Sequence, residues 1–321
     1  MRRGVPWLLL ALALAFAFVL HLAVSGVFSP ADIFHGLLRG PGDSPEQTVL
    51  WSIRLPRACA AALIGAILSL VGAAFQTLFR NPLADPYIIG VSSGAAVGGA
   101  IASLLGFATA AAFGSAFLTA LCGLGLVVSV ARGRGSLTLQ SLLISGVAVG
   151  SFLWALVTFF LAYAGQDSSR ILFWLLGSFA SMDWGRVVLV AAAGGVGFAV
   201  LFRYARPLTV FSVGEESSGR LGVDVERVKW VTLITGTAMA AAAVAAVGIV
   251  GFVGLFVPHI ARRFVGPPLV QLLPASAILG AAILVLADLL AQRLVPGQEI
   301  NIGVLTALVG APFLVVALRR R

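Results

Sequence analysis

Long uncharged runs of apolar and small residues, separated by short charged joints, set the pattern of this chain. A membrane-crossing helix needs about 20 predominantly apolar residues. The stretches that meet this need are Trp7 to Phe28, Ala58 to Phe79, Ile88 to Leu105, Thr109 to Ala131, Ser141 to Ala164, Val187 to Phe202, Leu269 to Ala291 and Ile302 to Leu318. Two further runs have the wrong length. Ile171 to Met182, between Arg170 and Asp183, is too short to cross, which predicts an interfacial or re-entrant helix. Trp230 to Ala261 carries no charge and would extend about 48 Å as one helix, too long for a single span and short for two. Gly248, Gly251 and Gly254, followed by Pro258, mark the place for it to break and turn back.

Composition agrees with that pattern. Hydrophobic residues make up 60% of the 321, charged residues only 10%, and the mean hydropathy is +1.06. A soluble globular domain and a disordered chain are both excluded. The chain reads as an all-α polytopic membrane protein. The 37 glycines predict close helix packing through small-residue contacts. The opening run is long and lacks a clean small-residue cleavage site, so it is expected to be a span rather than a removed signal.

Charge then sets topology. With the N-terminus inside, Ile171 to Met182 not crossing and the long run crossing twice, the count is ten spans with both termini inside. Arg2, Arg3, Arg80, Arg132, Arg134, Arg203, Arg206, Arg220, Arg227, Lys229, Arg262, Arg263, Arg319, Arg320 and Arg321 then lie inside. Only Arg39, Arg54, Arg57, Arg170, Arg186 and Arg293 lie outside, as the positive-inside rule requires. The acids are near parity, with Asp32, Asp43, Glu46, Asp167, Asp183 and Glu299 outside and Asp85, Glu215, Glu216, Asp224 and Glu226 inside.

Familiar chemistry is scarce. The net charge of +9 comes without any basic cluster interleaved with aromatics, so no nucleic-acid partner is implied. Cys59 and Cys122 lie in apolar runs without metal-site spacing. His21, His35 and His259 are too dispersed for a sequence-level metal site, and no cofactor is implied. The single lysine, Lys229, follows Val228, so the chain has no phosphate-binding P-loop. GVSSG around Ser92 matches a nucleophile elbow in letters only, because it opens an apolar helix rich in small residues. Asp288 is the one carboxylate within a span. A proton-coupled secondary transporter would use such a residue, but local pairing with Arg293 at the end of the same helix is the expected arrangement.

Three segments stand out. RLPR, Arg54 to Arg57, places two outward arginines against the charge trend, with Pro56 suited to a first helical turn. The connection from Arg203 to Lys229 mixes apolar residues, turn formers and charges, and predicts two short helices separated at Gly222. RNPLADPYIIGVSSGAA, Arg80 to Ala96, ends one helix and starts another through Pro82 and Pro86, with Asn81 and Asp85 as caps.

QTLFRNPLADPYIIGVSSGAA, together with RLPR, WLLGSFA from Trp174, VGEESSGRLGV and GIVGFVGLFVPHIARRFVG from Gly248, resembles the FecCD family, the permeases of bacterial ABC importers for ferric siderophores, haem and vitamin B12. LPASAILGAAILVLAD and GVLTALVGAPFLVVALRR extend the resemblance over essentially the whole chain. It implies a single permease domain over residues 1–321 with type II ABC importer architecture and about ten helices. It also implies a homodimer in the bacterial inner membrane, two ATP-binding cassette ATPase subunits and an extracytoplasmic substrate-binding protein. The chain itself would be no enzyme. Arg54, Arg57 and Arg293 would dock the binding protein; Glu215, Glu216, Arg220, Leu221 and Gly222, within the loop at 203–229, would couple to the ATPase. Asn81 and Leu83, with Leu139 and Gln140, would line a cytoplasmic gate, although the residue types at Leu139 and Gln140 are not those of the family. Asn301 stands where the family usually has proline. The expected cargo is an iron chelate, a ferric siderophore or haem, with cobalamin as the alternative.

Overall fold

The computed structural model describes residues 4–23, 30–42, 44–133 and 138–319. Arg2, Arg3, Asp43, Arg134, Arg320 and Arg321, and the outer end of the first expected span to Phe28, lie outside the described residues. Within them the chain is built of helices and their connections. The first is α1 (Val5–Ala23), followed by α2 (Pro30–Arg39) and α3 (Pro45–Thr48). A π-helical turn, Val49–Arg54, leads into α4 (Leu55–Leu78), then α5 (Val91–Leu104), α6 (Thr109–Arg132) and α7 (Leu139–Tyr163). Next come α8 (Ser168–Leu175), α9 (Trp184–Arg203), α10 (Ala205–Phe211) and α11 (Glu215–Arg220). The chain ends with α12 (Val225–Val247), α13 (Val253–Val265), α14 (Leu269–Arg293) and α15 (Ile302–Arg319).

Seven of these helical stretches are long and apolar enough to cross a membrane alone. They are α1, the stretch ending in α4, α6, α7, α9, α12 and α14. The 14-residue α5 and the 13-residue α13 are shorter, about 20 Å at 1.5 Å per residue, less than the roughly 30 Å hydrocarbon core. The long run does break where its glycines stand: α12 stops at Val247, and five residues separate it from α13. Gly254 and Pro258 fall inside α13 rather than in the turn.

Burial separates an inner set of helices from an outer set. The apolar stretch ending in α4 is 78% buried and that of α12 72%, against 22% for α1 and 28% for α6 and α9. The outer helices present Leu, Ile, Phe and Val to their surroundings, among them Leu9, Phe16, Leu118, Ile144, Phe152 and Val196. Lipid is the solvent that makes such a surface stable.

Small residues allow the inner helices to touch. A Cβ on Gly65 of α4 would lie 2.2 Å from the Gly280 carbonyl oxygen of α14, and one on Gly72 1.8 Å from that of Gly254 in α13. No side chain fits at either crossing, as expected where backbones meet without a hydrophobic driving force.

The segment from Ile171 to Met182 does not cross. It is α8 followed by a non-helical run of turns that stitches two helix breaks together. Ser178 N donates to Val247 O (2.9 Å), Ile302 N to Gly177 O (3.1 Å) and Gly303 N to Leu176 O (3.0 Å). Non-helical backbone at membrane depth is tolerable when each freed group finds a partner of this kind. Gly248, at φ +85°, turns the chain here, and a Cβ on it would lie 2.1 Å from Trp174 O. The connection after α9 also differs in detail from expectation. Its two short helices, α10 and α11, separate at Gly214, while Gly222 (φ +81°) ends the second and admits the chain to α12.

Candidate functional site

At the end of the bundle that the charge rule places outside, the three arginines expected to dock a partner come from the start of α4 and the end of α14. Arg54 and Arg293 are near enough to repel one another, and Arg293 is exposed. Arg54 donates from Nη1 to Leu22 O at 3.0 Å. Arg57 points inward. Its Nε and Nη2 each donate to Asp288 at 2.8 Å, and Nη1 and Nη2 donate to Glu299 at 3.1 and 2.5 Å.

The local pairing of Asp288 with Arg293 is therefore corrected: Asp288 pairs with Arg57. Five residues along a helix turn the side chain about 140° away, whereas Arg57 sits on the helix that the Gly65–Gly280 contact draws against α14. His21 Nε2 lies 2.8 Å from Asp288 Oδ2, and Gln292 Nε2 donates to the same oxygen at 2.9 Å. Asp288 is 1% exposed. Buried charge is tolerable only with such pairing.

At the opposite end, the proline-rich turn after α4 has the caps that were expected. Leu83 N donates to Asn81 Oδ1 and Tyr87 N to Asp85 Oδ1, both at 2.9 Å. Burial pushes the Asp85 carboxyl up to about 6, partly offset by the Tyr87 amide. Burial and then the nearby Asp85 raise the Tyr87 phenol as well, so it stays a neutral donor. Its hydroxyl donates to Val250 O at 3.1 Å, and Gln76 Nε2 donates to Gly254 O at 3.3 Å and Leu255 O at 3.0 Å. Tyr87 of the RNPLADPY turn thus satisfies a carbonyl in the break between α12 and α13, while Gln76 of α4 serves the first turn of α13, where Pro258 has no N–H to offer Gly254 O. Sequence reasoning missed this role, since the partners lie more than 160 positions apart. Leu83 is exposed. Leu139 instead packs into the core, and Gln140 is exposed.

The residues expected to couple to an ATPase cluster at this same end. Glu215, opening α11, accepts from Lys229 Nζ at 3.2 Å, and Lys229 also pairs with Glu226. Lys229 is 2% exposed, so its charge fixes α11 against α12. Ser218 Oγ donates to Val210 O at 3.0 Å, holding α11 on α10. Leu269 N donates to Thr209 Oγ1 at 3.2 Å, tying α10 to the start of α14. Glu216 and Arg220 pair with each other at 2.6 Å on the exposed face, and Leu221 stands in solvent beside them. An exposed leucine on a polar face, mounted on a turn anchored to two long helices, suits contact with another protein.

An open groove of about 880 Å³ is walled by Trp154 and Leu161 of α7, Leu172 and Leu175 of α8, Phe252 at the break and Val304, Ala307 and Leu308 of α15. No charged residue lines it. A charge-free wall suits a bulky organic surface better than a bare ion.

Comparison with known proteins gives three consistent results. The FecCD transport family model matches residues 11–320. Among curated relatives, the cobalamin import permease BtuC of Halobacterium salinarum is 40% identical over 276 residues, covering 86% of this chain and 74% of its own. The Fe(3+)-citrate import permease YfmE of Bacillus subtilis is 35% identical over 315 residues, covering 97% and 94%. A solved inward-facing structure, described as of the metal-chelate ABC transporter type, superposes with a TM-score of 0.87 at 32% identity, covering 97% of this chain and 98% of that one.

Proposed function

Since this chain belongs to the FecCD transport family, an ABC importer permease family of the bacterial cell membrane, we propose that it moves an iron chelate, a ferric siderophore or haem, as one half of a homodimeric permease. ATP hydrolysis is assigned to separate ATPase subunits, and cargo delivery to an extracytoplasmic binding protein. The observation that carries the substrate class is the large groove without a charged lining residue, which favours cargo already wrapped in an organic ligand. Relatives named for Fe(3+)-citrate and for cobalamin fit the same class, and cobalamin remains the second reading.

The movement we infer is alternating access. A loaded binding protein engages Arg54 and Arg293, with Arg57 beside them. Closure of the ATPase dimer shifts α11 through Glu216, Arg220, Leu221 and Gly222, and the Glu215–Lys229 pair carries the shift to α12. The break after α12 adjoins the groove wall at Phe252, so a displacement of α12 reaches the pathway. Ten crossings, a single permease domain over residues 1–321 and a gate that includes Asn81 and Leu83 complete the reading.

The test is uptake into proteoliposomes holding the permease, its ATPase and the matching binding protein, with a ferric siderophore, haem and cobalamin supplied in parallel. ATP-dependent uptake of a ferric chelate is expected. Uptake of cobalamin alone would replace the substrate assignment, and uptake of none of the three would remove it.

A further inference from the structure

We propose that Glu299 is an internal stand-in for the docking partner's carboxylate: it occupies the outer edge of the Arg57 guanidinium in the resting permease and is displaced when the partner binds. This rests on the reading of Arg54, Arg57 and Arg293 as docking residues and adds the group with which the partner competes.

A guanidinium offers its donors along two forked edges, each able to hold one carboxylate. The inner edge of Arg57, Nε and Nη2, is taken by Asp288 at 2.8 Å from each nitrogen. Asp288 is held in turn by His21 and Gln292. Vacating that edge would strand a buried charge, a costly event.

The outer edge, Nη1 and Nη2, is taken by Glu299. The Glu299 side chain is 35% exposed and lies in the connection between α14 and α15. Water reaches it, so leaving Arg57 costs it little. The two carboxylates on one arginine therefore differ in kind: Asp288 fixes and aims the group, and Glu299 fills the place an incoming carboxylate would take. Arg57 need not change its rotamer for the exchange.

Glu299 also lies close to the groove wall in sequence. Asn301 Nδ2 donates to Phe173 O at 3.3 Å, and Ile302 N and Gly303 N donate to Gly177 O and Leu176 O. These bonds fix the start of α15 to the α8 segment, and Gly303 and Val304 line the groove. Displacing Glu299 gives a docked partner a handle on that wall.

The test measures docking of the solute-binding protein from the same organism to the complete permease–ATPase complex in nanodiscs, with and without Glu299→Gln. The variant should tighten docking about two- to fivefold, the range in which releasing one solvent-reachable ion pair falls. Glu299→Asp, one methylene shorter, should shift affinity the same way by less. In an Arg57→Lys background, which keeps a charge toward Asp288 but lacks the second fork, the Glu299→Gln gain should vanish. If Glu299→Gln leaves docking unchanged or weaker while Arg54→Glu still abolishes it, the stand-in is overturned and the docking reading survives. A gain that persists undiminished with Arg57→Lys also overturns it, as general charge. If Arg54→Glu and Arg293→Glu leave docking intact, the docking reading itself fails.

Discussion

Arg57 carries two tasks at one position, and its environment separates them. Its inner edge neutralises Asp288 inside the bundle and its outer edge faces the surface through Glu299. Asp288→Asn removes the charge that holds the inner edge, and removing one partner of a buried pair typically costs about 3 kcal/mol or more. A clear fall in the thermal unfolding midpoint is expected in detergent, whereas an unchanged midpoint would mean the pair is not structural. A second residue-scale prediction concerns Asp85. Its folded value of about 6 lies above the ordinary 3.8, so the folded state binds the proton more tightly than the unfolded one. That contribution is fully present below about 4 and is lost as pH rises through 6. Asp85→Asn keeps the acceptor for Tyr87 N and should raise stability at pH 8 while flattening the change between pH 4 and 6. A variant less stable than the parent at pH 8 would contradict this. The Arg57–Asp288 pairing could not be read from neighbouring residues: Asp288 has Arg293 within reach along the sequence, and only the packing of α4 on α14 selects Arg57 instead.

Among the helices, the features readable in advance are those governed by local rules. Run lengths located the seven helices long and apolar enough to cross a membrane, the run before Asp183 forms only a short helix, and glycines placed the break after Val247. The groups that satisfy the break were not readable, because Tyr87 and the α8 segment reach it, and Gln76 reaches the first turn of α13, from distant parts of the chain. Gly248→Ala should test how tightly that junction is built. A side chain there meets Trp174 O and a left-handed backbone at once, so a loss of at least about 1 kcal/mol is expected. Unimpaired stability would show that the junction yields. The coupling elements give a separable prediction. Disrupting Leu221 and Gly222, or replacing Lys229 with Met, should lower cargo-stimulated ATPase activity in the reconstituted complex while leaving binding-protein docking unchanged. Normal stimulation would remove α11 from the coupling path.

Over the whole molecule, inner helices of small residues form a rigid centre, lipid-facing helices surround it, and ionic clusters occur at both ends. Arg57, Asp288 and Glu299 stand at one end, and Lys229 with Glu215 and Glu226 at the other. An energy source within the membrane would need titratable groups along a path between them. Among the described residues the groove beside α7 and α15 has none in its wall, and Asp288 is already committed to Arg57; the reading proposed above places the drive on a partner. The most direct test is cargo uptake by proteoliposomes containing this chain with its ATPase and binding protein. Uptake should stop when ATP is withheld or the ATPase is inactivated, and persist when a protonophore collapses the proton gradient. Uptake by this chain alone, driven by a pH gradient without ATP, would contradict it.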